Sequence, residues 1–505
     1  MNTNHHFTTL PEALYTSLQV REGERAAAKA CGIDMYTLML HAGQSVFECL
    51  MSQFGNVSSI LICCGKGNNG GDGYVVGKLA LEHNIDVELW QLGSSNALVG
   101  DAARARDDFL AAGGSISSPK NVVPENTDVI VDALLGTGIS GDVRDFYSHV
   151  IDRINQAAAS VIAVDTPSGL NTDTGAIAGN AVLADATVTF IGTKQGLVTA
   201  RARTFTGQLY FAGLGVDSIF AQQNAPSALL TNHSWLELIK KRPRDAHKGT
   251  QGSVLLVGGN NGMGGAAYLA SCSALRAGAG LVATLCHAES LLSIRSLLPE
   301  AMVSEADSQE LARRSTWSKA LCIGPGLGRD EWGKNVFSHV FNQARSHEKP
   351  MVIDADGLYW LAAEEKVEAY SNYVLTPHPG EAARLLNCAT TDIEADRFNA
   401  IKRLQAKYGG VVVLKGAGTL ISDGKTVVVC HAGNEGMATG GMGDVLAGVI
   451  ASILAQGYPM FKAAVIGTLV HSLAADKNVT RYGKAGLMAS DLLDEIRLCI
   501  NGLET

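Results

Sequence analysis

The chain is poor in the residues that would mark it as disordered, fibrous, disulfide-bound or nucleic-acid-binding. Its 505 residues hold 12 prolines, 6 % aromatics and 18 % charged side chains. With so little proline, the 56 glycines describe neither collagen nor a linker, although glycine runs at about one and a half times its usual ~7 % share. A hydrophobic content of 46 % excludes global disorder. Ten cysteines are few, none forms a CxxC pair, and several sit in apolar runs such as Cys63 and Cys64 of SSILICC. Reduced thiols in a cytoplasmic protein are the expected reading. The opening MNTNHHFTTLPEAL lacks the basic and apolar regions of a signal peptide. The longest apolar segments are broken by charges such as Arg276 and Asp444, so no membrane span is expected. There is no basic excess either. The net charge is -9, with 22 Asp+Glu against 13 Lys+Arg through residue 225 and 27 of each beyond it. Nucleic acid is therefore not an expected partner.

What the chain does have is a rhythm of apolar strand-like runs alternating with helical stretches. Residues 12–54 read as mostly helical. Runs at 58–64, 85–92, 128–135, 160–165, 186–192 and 208–214 then read as strands. Continuous rather than alternating apolar runs point to parallel sheets covered on both faces. The stretch SIFAQQNAPSALLTNHSW (218–235) interrupts the rhythm, and a second series follows, ending in helices at 443–456, 460–476 and 488–501. No fixed-period repeat is visible. Two unlike α/β domains are expected, residues 1–222 and 223–505.

In the first domain the densest segment is GKGNNGGDG, residues 65–73. It follows a strand and opens a helix, where glycine lets backbone N–H groups approach an anion. It is neither GxGxxG at the usual spacing nor a Walker A loop. Asn68, Asn69 and Asp72 add oxygens for a cation or a polar ligand. A tight strand-to-helix turn is the plain alternative, but so long a run exceeds what a turn needs. Asp132 stands just before a second glycine loop, Gly136 to Gly141, and Asp165 ends a strand with Ser168 three residues on. Each aspartate alone is commonly a turn or cap residue. In a parallel sheet the three strand ends face one crevice, which favours a shared site.

With LMLHAG (38–43), the segments GKGNNGGDG, LLGTGISG and AVDTPSG resemble the epimerase domain of the NAD(P)H-hydrate repair enzymes over residues 10–220. The resemblance implies a Rossmann-like three-layer domain that interconverts the R and S epimers of hydrated NADH and NADPH (NADHX and NADPHX). It carries substrate contacts onto Asn68, Asn69, Gly70, Gly71 and Asp72, onto Gly136, Thr137, Gly138, Ile139, Ser140, Gly141 and Asp142, and onto Asp165. It carries a potassium site onto Asn69, Asp132 and Ser168. Asp165 is the acid/base candidate. Thr166 stands where an apolar residue is more usual, a departure that touches no proposed ligand.

The most specific segment of the second domain is NEGMATGGMGDVLAG, residues 434–448. A glycine turn running into a helix near Asp444 aims N–H groups and the helix dipole at a phosphoryl group in transit. Asp444 is then placed to take a proton from a substrate hydroxyl, the plain alternative being an N-cap. This pattern resembles the ribokinase-like superfamily, many of whose small-molecule kinases carry Asn-x-x-Glu where this chain has His378-Pro379-Gly380-Glu381. The histidine form resembles the nucleotide-dependent NAD(P)H-hydrate dehydratases instead. GGNNGMGGAAYLA (258–270), GPGLG (324–328), DADGL (354–358) and LKGAGTLI (414–421) match the same pattern, over about residues 236–500.

This resemblance implies a ribokinase-like α/β domain. It gives Lys415, Gly416, Ala417, Gly418, Thr419 and Gly443 to an adenine nucleotide. It gives Ala267, Gly328, His378 and Asp444 to the hydrated nicotinamide, with Asp444 catalytic. Glu381 serves Mg²⁺ or its water shell, and Asp356 is equally a strand-end turn residue. Bacterial members use ADP and release AMP and phosphate. Homo-oligomeric assembly is also implied. Two other readings stay open: a vitamin or sugar kinase with an accessory domain, and a first domain that only binds nucleotides or a protein.

Overall fold

The six apolar runs of the N-terminal part, joined by the two-residue Ile116–Ser117, become strands of one parallel sheet. Their spatial order is Ile116–Ser117, Asp86–Gln91, Ser59–Cys64, Val129–Ala133, Ser160–Val164, Ala186–Phe190, Gln208–Ala212. Counted in chain order within the sheet, this is 3-2-1-4-5-6-7. The direction of winding reverses between Ser59–Cys64 and Val129–Ala133, and in such sheets ligands bind at the strand ends of that reversal. The pleat explains the continuous apolar sequence. Ile60, Ile62 and Cys64 join one buried cluster with Val129, Val131 and Ala133. Leu61 and Cys63 join another with Trp90, Ile130 and Ala163. Helices Met35–Gln53 and Asn68–Glu82 supply the first cluster and helix Asp145–Gln156 the second, giving three layers.

Residues 12–54 form helices Ser17–Ala30 and Met35–Gln53 as expected, capped by Thr16 and Asp34. The structure is a computed structural model that describes residues 10–139, 141–364 and 369–503. Its chain divides into two compact units, Met1–Leu229 and Leu230–Thr505. Residues just after 222 stay with the first unit because Leu14 pairs with Ala228 and Ala13 with Leu229 in an antiparallel ladder.

In the second unit the strand order is Met302–Glu305, Leu281–Cys286, Ser253–Val257, Ala320–Ile323, Met351–Ile353, Tyr373–Leu375, Val411–Leu414, Thr419–Ser422, Val427–Cys430. The strands are parallel through Val411–Leu414, and two antiparallel neighbours follow. The chain order again runs 3-2-1-4, with its reversal between Ser253–Val257 and Ala320–Ile323. Helix Met442–Ala455, apolar almost throughout, packs on the central strands together with helix Gly264–Arg276. It begins at Met442, so Gly443 and Asp444 lie inside its first turn. All ten cysteines are free thiols, eight of them buried. Among the described residues no helix is long and apolar enough to cross a membrane.

Candidate active sites

In the first unit the glycine run serves packing before it serves a ligand. The helix after the first strand starts at Asn68, so Asn68 to Asp72 occupy its first turns. A Cβ on Gly65 would lie 1.8 Å from Leu134 O, one on Gly70 2.2 Å from Gly65 O, and one on Gly73 2.7 Å from Ala133 Cβ. These glycines let the helix N-terminus press onto the neighbouring strand ends. Gly67 alone in the run faces open space. Asn69 lies against Gly136, whose Cβ would come within 3.3 Å of the asparagine Cβ, so the two loops meet.

Asp132 and Ser168 are fully buried and joined directly. Ser168 Oγ donates to Asp132 Oδ1 at 2.6 Å and Ser168 N to Oδ2 at 2.7 Å. Leu135 N donates to Ser168 Oγ at 2.8 Å. Burial pushes the Asp132 carboxyl up to about 6, against the lowering effect of the Ser168 bonds. Asn69 Nδ2 is buried without a hydrogen-bond partner. Asp132 and Ser168 together offer carboxyl and hydroxyl oxygens suited to a hard cation, and the Asn69 amide lies on the loop contact with Gly136. The expected potassium residues therefore fit such an ion.

Asp165 stands at φ +63°, in the left-handed region that costs a non-glycine residue about 1 kcal/mol or more. Its Oδ1 accepts from Phe190 N at 3.1 Å, from Thr189 Oγ1 at 3.2 Å and from Lys194 Nζ at 2.5 Å. Two further carboxyls share this pocket of charge. Asp72 is held well above its usual range by burial and by the charges of Asp165 and Glu24, with Lys194 opposing. Glu24, from helix Ser17–Ala30, is raised by burial and by Asp165. Lys194 and Glu24 were absent from the sequence expectations. Of the other expected contacts, Thr137 and Ile139 are half-buried on the loop, while Gly138, Gly141 and Asp142 are exposed, with Asp142 beside Gly179. Ser140 lies outside the described residues.

In the second unit five loops at the C-terminal strand ends meet. Asp354, 1 % exposed, follows Met351–Ile353. Its Oδ1 accepts from Lys415 Nζ at 2.7 Å and from Thr376 Oγ1 at 2.8 Å. Lys415 Nζ also lies 3.7 Å from Glu381 Oε2. A Cβ on Gly443 would come within 3.1 Å of Lys415 Nζ and 3.3 Å of Asp354 Oδ2, so this pair stands directly against the first turn of Met442–Ala455. Gly441 caps that helix at φ +89°, which leaves Asp444 free of the N-cap role. Burial and the charges of Asp354 and Asp356 push the Asp444 carboxyl up to about 7, against Lys415. Burial pushes the Lys415 ammonium down, but Asp354 and Glu381 more than offset it and hold it above its usual range.

His378 is the N-cap of helix Pro379–Leu386. Its Nδ1 accepts from Gly380 N at 3.0 Å and Glu381 N at 3.4 Å, and His378 N in turn donates to Glu381 Oε2 at 2.8 Å. Nε2 is then the protonated ring nitrogen, 3.5 Å from Glu381 Oε1, and burial holds the ring below its usual pKa. His378 lines a cavity of about 180 Å³ with Arg329, Tyr359, Glu381 and Arg384. Gly328, at φ +80°, donates to Asp356 Oδ2 at 3.0 Å and so joins the same wall, which gives Asp356 a positioning contact. Ala267 is fully buried under Gly259, inside helix Gly264–Arg276, and its side chain does not face the cavity. The Lys415–Thr419 loop rests on Arg397, a 1 % exposed residue that donates to Leu414 O at 3.0 Å and Lys415 O at 3.2 Å. Sequence reading missed both Asp354 and Arg397. Among the described residues no group of three His, Cys, Asp or Glu side chains is set to grip a metal ion. Glu381, 3.7 Å from Lys415 Nζ, would suit Mg²⁺ that keeps its waters beside nucleotide phosphates.

Both units are α/β domains whose candidate site residues gather at the C-terminal ends of a parallel sheet, and the second sets the Lys415–Asp354 pair against a glycine-capped helix turn. Family models match in the same order: "YjeF-related protein N-terminus" over residues 35–196 and "NAD(P)H-hydrate dehydratase" over residues 254–498. The bifunctional NAD(P)H-hydrate repair enzyme of Vibrio cholerae is 46 % identical over 97 % of this chain and 99 % of its own length. That of Escherichia coli is 43 % identical over 98 % of this chain and 95 % of its own. A solved ribokinase-like superfamily protein from Enterococcus faecalis aligns with 54 % of this chain and 95 % of its own at 29 % identity and a TM-score of 0.51. The chain belongs to the family of bifunctional NAD(P)H-hydrate repair enzymes.

Proposed function

We propose that the first unit epimerises R and S NAD(P)HX and that the second dehydrates the S epimer to NAD(P)H, converting ADP to AMP and phosphate. The observation that carries the second half is the Lys415–Asp354 pair set against the first turn that bears Asp444. In this reading Asp444 takes the proton of the ring hydroxyl as its oxygen attacks the terminal phosphorus of ADP, and AMP departs. Phosphate then leaves the hydrated carbon with its bonding pair, and loss of a proton from the neighbouring carbon restores the dihydropyridine. Lys415 and the N–H groups of the helix turn stabilise the phosphoryl oxygens. Bound Mg²⁺ would add charge neutralisation on the phosphates, with Glu381 ordering its water shell. The Lys415–Thr419 loop holds the adenine nucleotide, and Gly328 and His378 hold the hydrated ring.

In the first unit Asp165 moves a proton at the hydrated ring carbon. The helix start at Asn68 and the Gly136–Asp142 loop hold the phosphates and nicotinamide. Potassium on Asn69, Asp132 and Ser168 would offset the charge of a carboxyl that burial pushes up to about 6. A cytoplasmic address and homo-oligomeric assembly belong to the same reading, the free thiols supporting the first.

The test is incubation of the purified chain with mixed NADHX epimers, ADP and Mg²⁺. Full return of the NADH absorbance is expected. No return removes the dehydratase half. Arrest after the S epimer is spent, at the spontaneous epimerisation rate, removes the epimerase half.

A further inference from the structure

Lys194 is the only charged residue between Asp185 and Arg201, and it is 1 % exposed. The fold spends effort on holding it. The short strand Thr193–Lys194 pairs in parallel with Leu14 and Tyr15, which fixes its backbone. Its ammonium has three hydrogens and three acceptors: Asp165 Oδ1 at 2.5 Å, Thr189 Oγ1 at 3.2 Å and Phe190 O at 3.2 Å. Thr189 Oγ1 in turn donates to the same Asp165 Oδ1. The result is a closed ring of bonds in which Phe190 N, Thr189 Oγ1 and Lys194 Nζ all converge on Oδ1, while no described hydrogen bond reaches Oδ2.

A buried ion pair is weak evidence for stability, since desolvation commonly cancels the Coulomb gain. This arrangement is suited to orientation instead: it fixes the rotamer of a residue whose backbone is already confined to the left-handed region. The other titratable groups facing the pair are Asp72 on helix Asn68–Glu82 and Glu24 on helix Ser17–Ala30. Lys194 is the described cation whose charge acts on both Asp72 and Glu24, while Arg21 and Arg25 act on Glu24.

We propose that Lys194 is a positioning residue of the epimerase site, clamping Asp165 through Oδ1 so that Oδ2 alone meets the hydrated ring. The inference rests on the reading of Asp165 as the proton-moving group. It adds a residue that no motif marks and that acts through Asp165 rather than on substrate.

The experiment uses the full chain and the R epimer, with dehydration of the S epimer as an internal control. K194M should lower the epimerase kcat by roughly 100-fold, as misplacement of a reacting group does, with KM little changed and dehydration untouched. K194R should recover part of the loss. Methylammonium should raise the rate of K194A but leave the unsubstituted chain unaffected. Wild-type kcat in K194M overturns the proposal. So does a K194R as slow as K194M together with a K194A deaf to methylammonium, because a purely structural role predicts both. Wild-type epimerisation in D165N instead removes the reading of Asp165, which is a different failure.

Discussion

Each unit buries one lysine on one aspartate at the C-terminal end of a parallel sheet, yet the two pairs are wired differently. In the first unit Lys194 bonds to Asp165 itself, the proposed proton-moving carboxyl. In the second, Lys415 bonds to Asp354 at 2.7 Å, and the proposed base, Asp444, stands apart with its carboxyl pushed up to about 7. The difference follows from the chemistry each site is proposed to perform. Epimerisation has no phosphoryl group to stabilise, so the cation is free to orient the carboxylate. Phosphoryl transfer needs the cation for phosphate oxygens, so a second aspartate holds the lysine and the base is tuned by burial and by its acidic neighbours.

The sharpest way to break this comparison is D444N. Dehydration of S-NADHX should fall by about 10²–10⁴, the usual span for a lost general base, while epimerisation of the R epimer stays intact. Equal loss of both activities would mean that the two sites are not independent.

D354N should come next. It strips Lys415 of its nearest carboxylate and leaves a buried charge poorly compensated. Such a broken pair typically costs about 3–5 kcal/mol, visible in urea unfolding of the second unit. The smallest effect is on pH dependence. Asp444 must be ionised to accept the proton, so dehydration should rise with pH up to about 7 and level off above it. Below that, the rate should fall about tenfold per pH unit. A flat profile between pH 5 and 8 would reassign the base.

Much of both sites was legible because the strand-end motifs are local. Asp132, Asp165, Ser168, His378, Lys415 and Asp444 all sit in short segments whose residue types announce a site. What the sequence hid was either delivered from afar or disguised. Lys194 reaches Asp165 across 29 residues, through the strand Ala186–Phe190, in a run with no motif. Its one signal was an isolated lysine in an apolar stretch. Glu24 comes from a helix that precedes the first strand. Arg397 supports the Lys415–Thr419 loop from below, a role that only packing can reveal. Glycine is ambiguous in a different way. Gly65, Gly70 and Gly73 stand in a run that reads as a ligand approach, and each is also required by a close contact with the protein's own backbone or side chains. A loop shaped by internal packing and a loop shaped for a phosphate look alike until the neighbours are known.

The backbone at Asp165 also dictates how that residue can be replaced. At φ +63° a substituent other than glycine is strained, and asparagine and aspartate tolerate the region several-fold better than most residues. Alanine there would combine loss of the carboxylate with a distorted turn, and its rate would report both. Asparagine keeps the turn but leaves the buried Lys194 ammonium without its carboxylate. Among replacements at this position asparagine therefore distorts the backbone least, and its remaining cost reports the pair with Lys194.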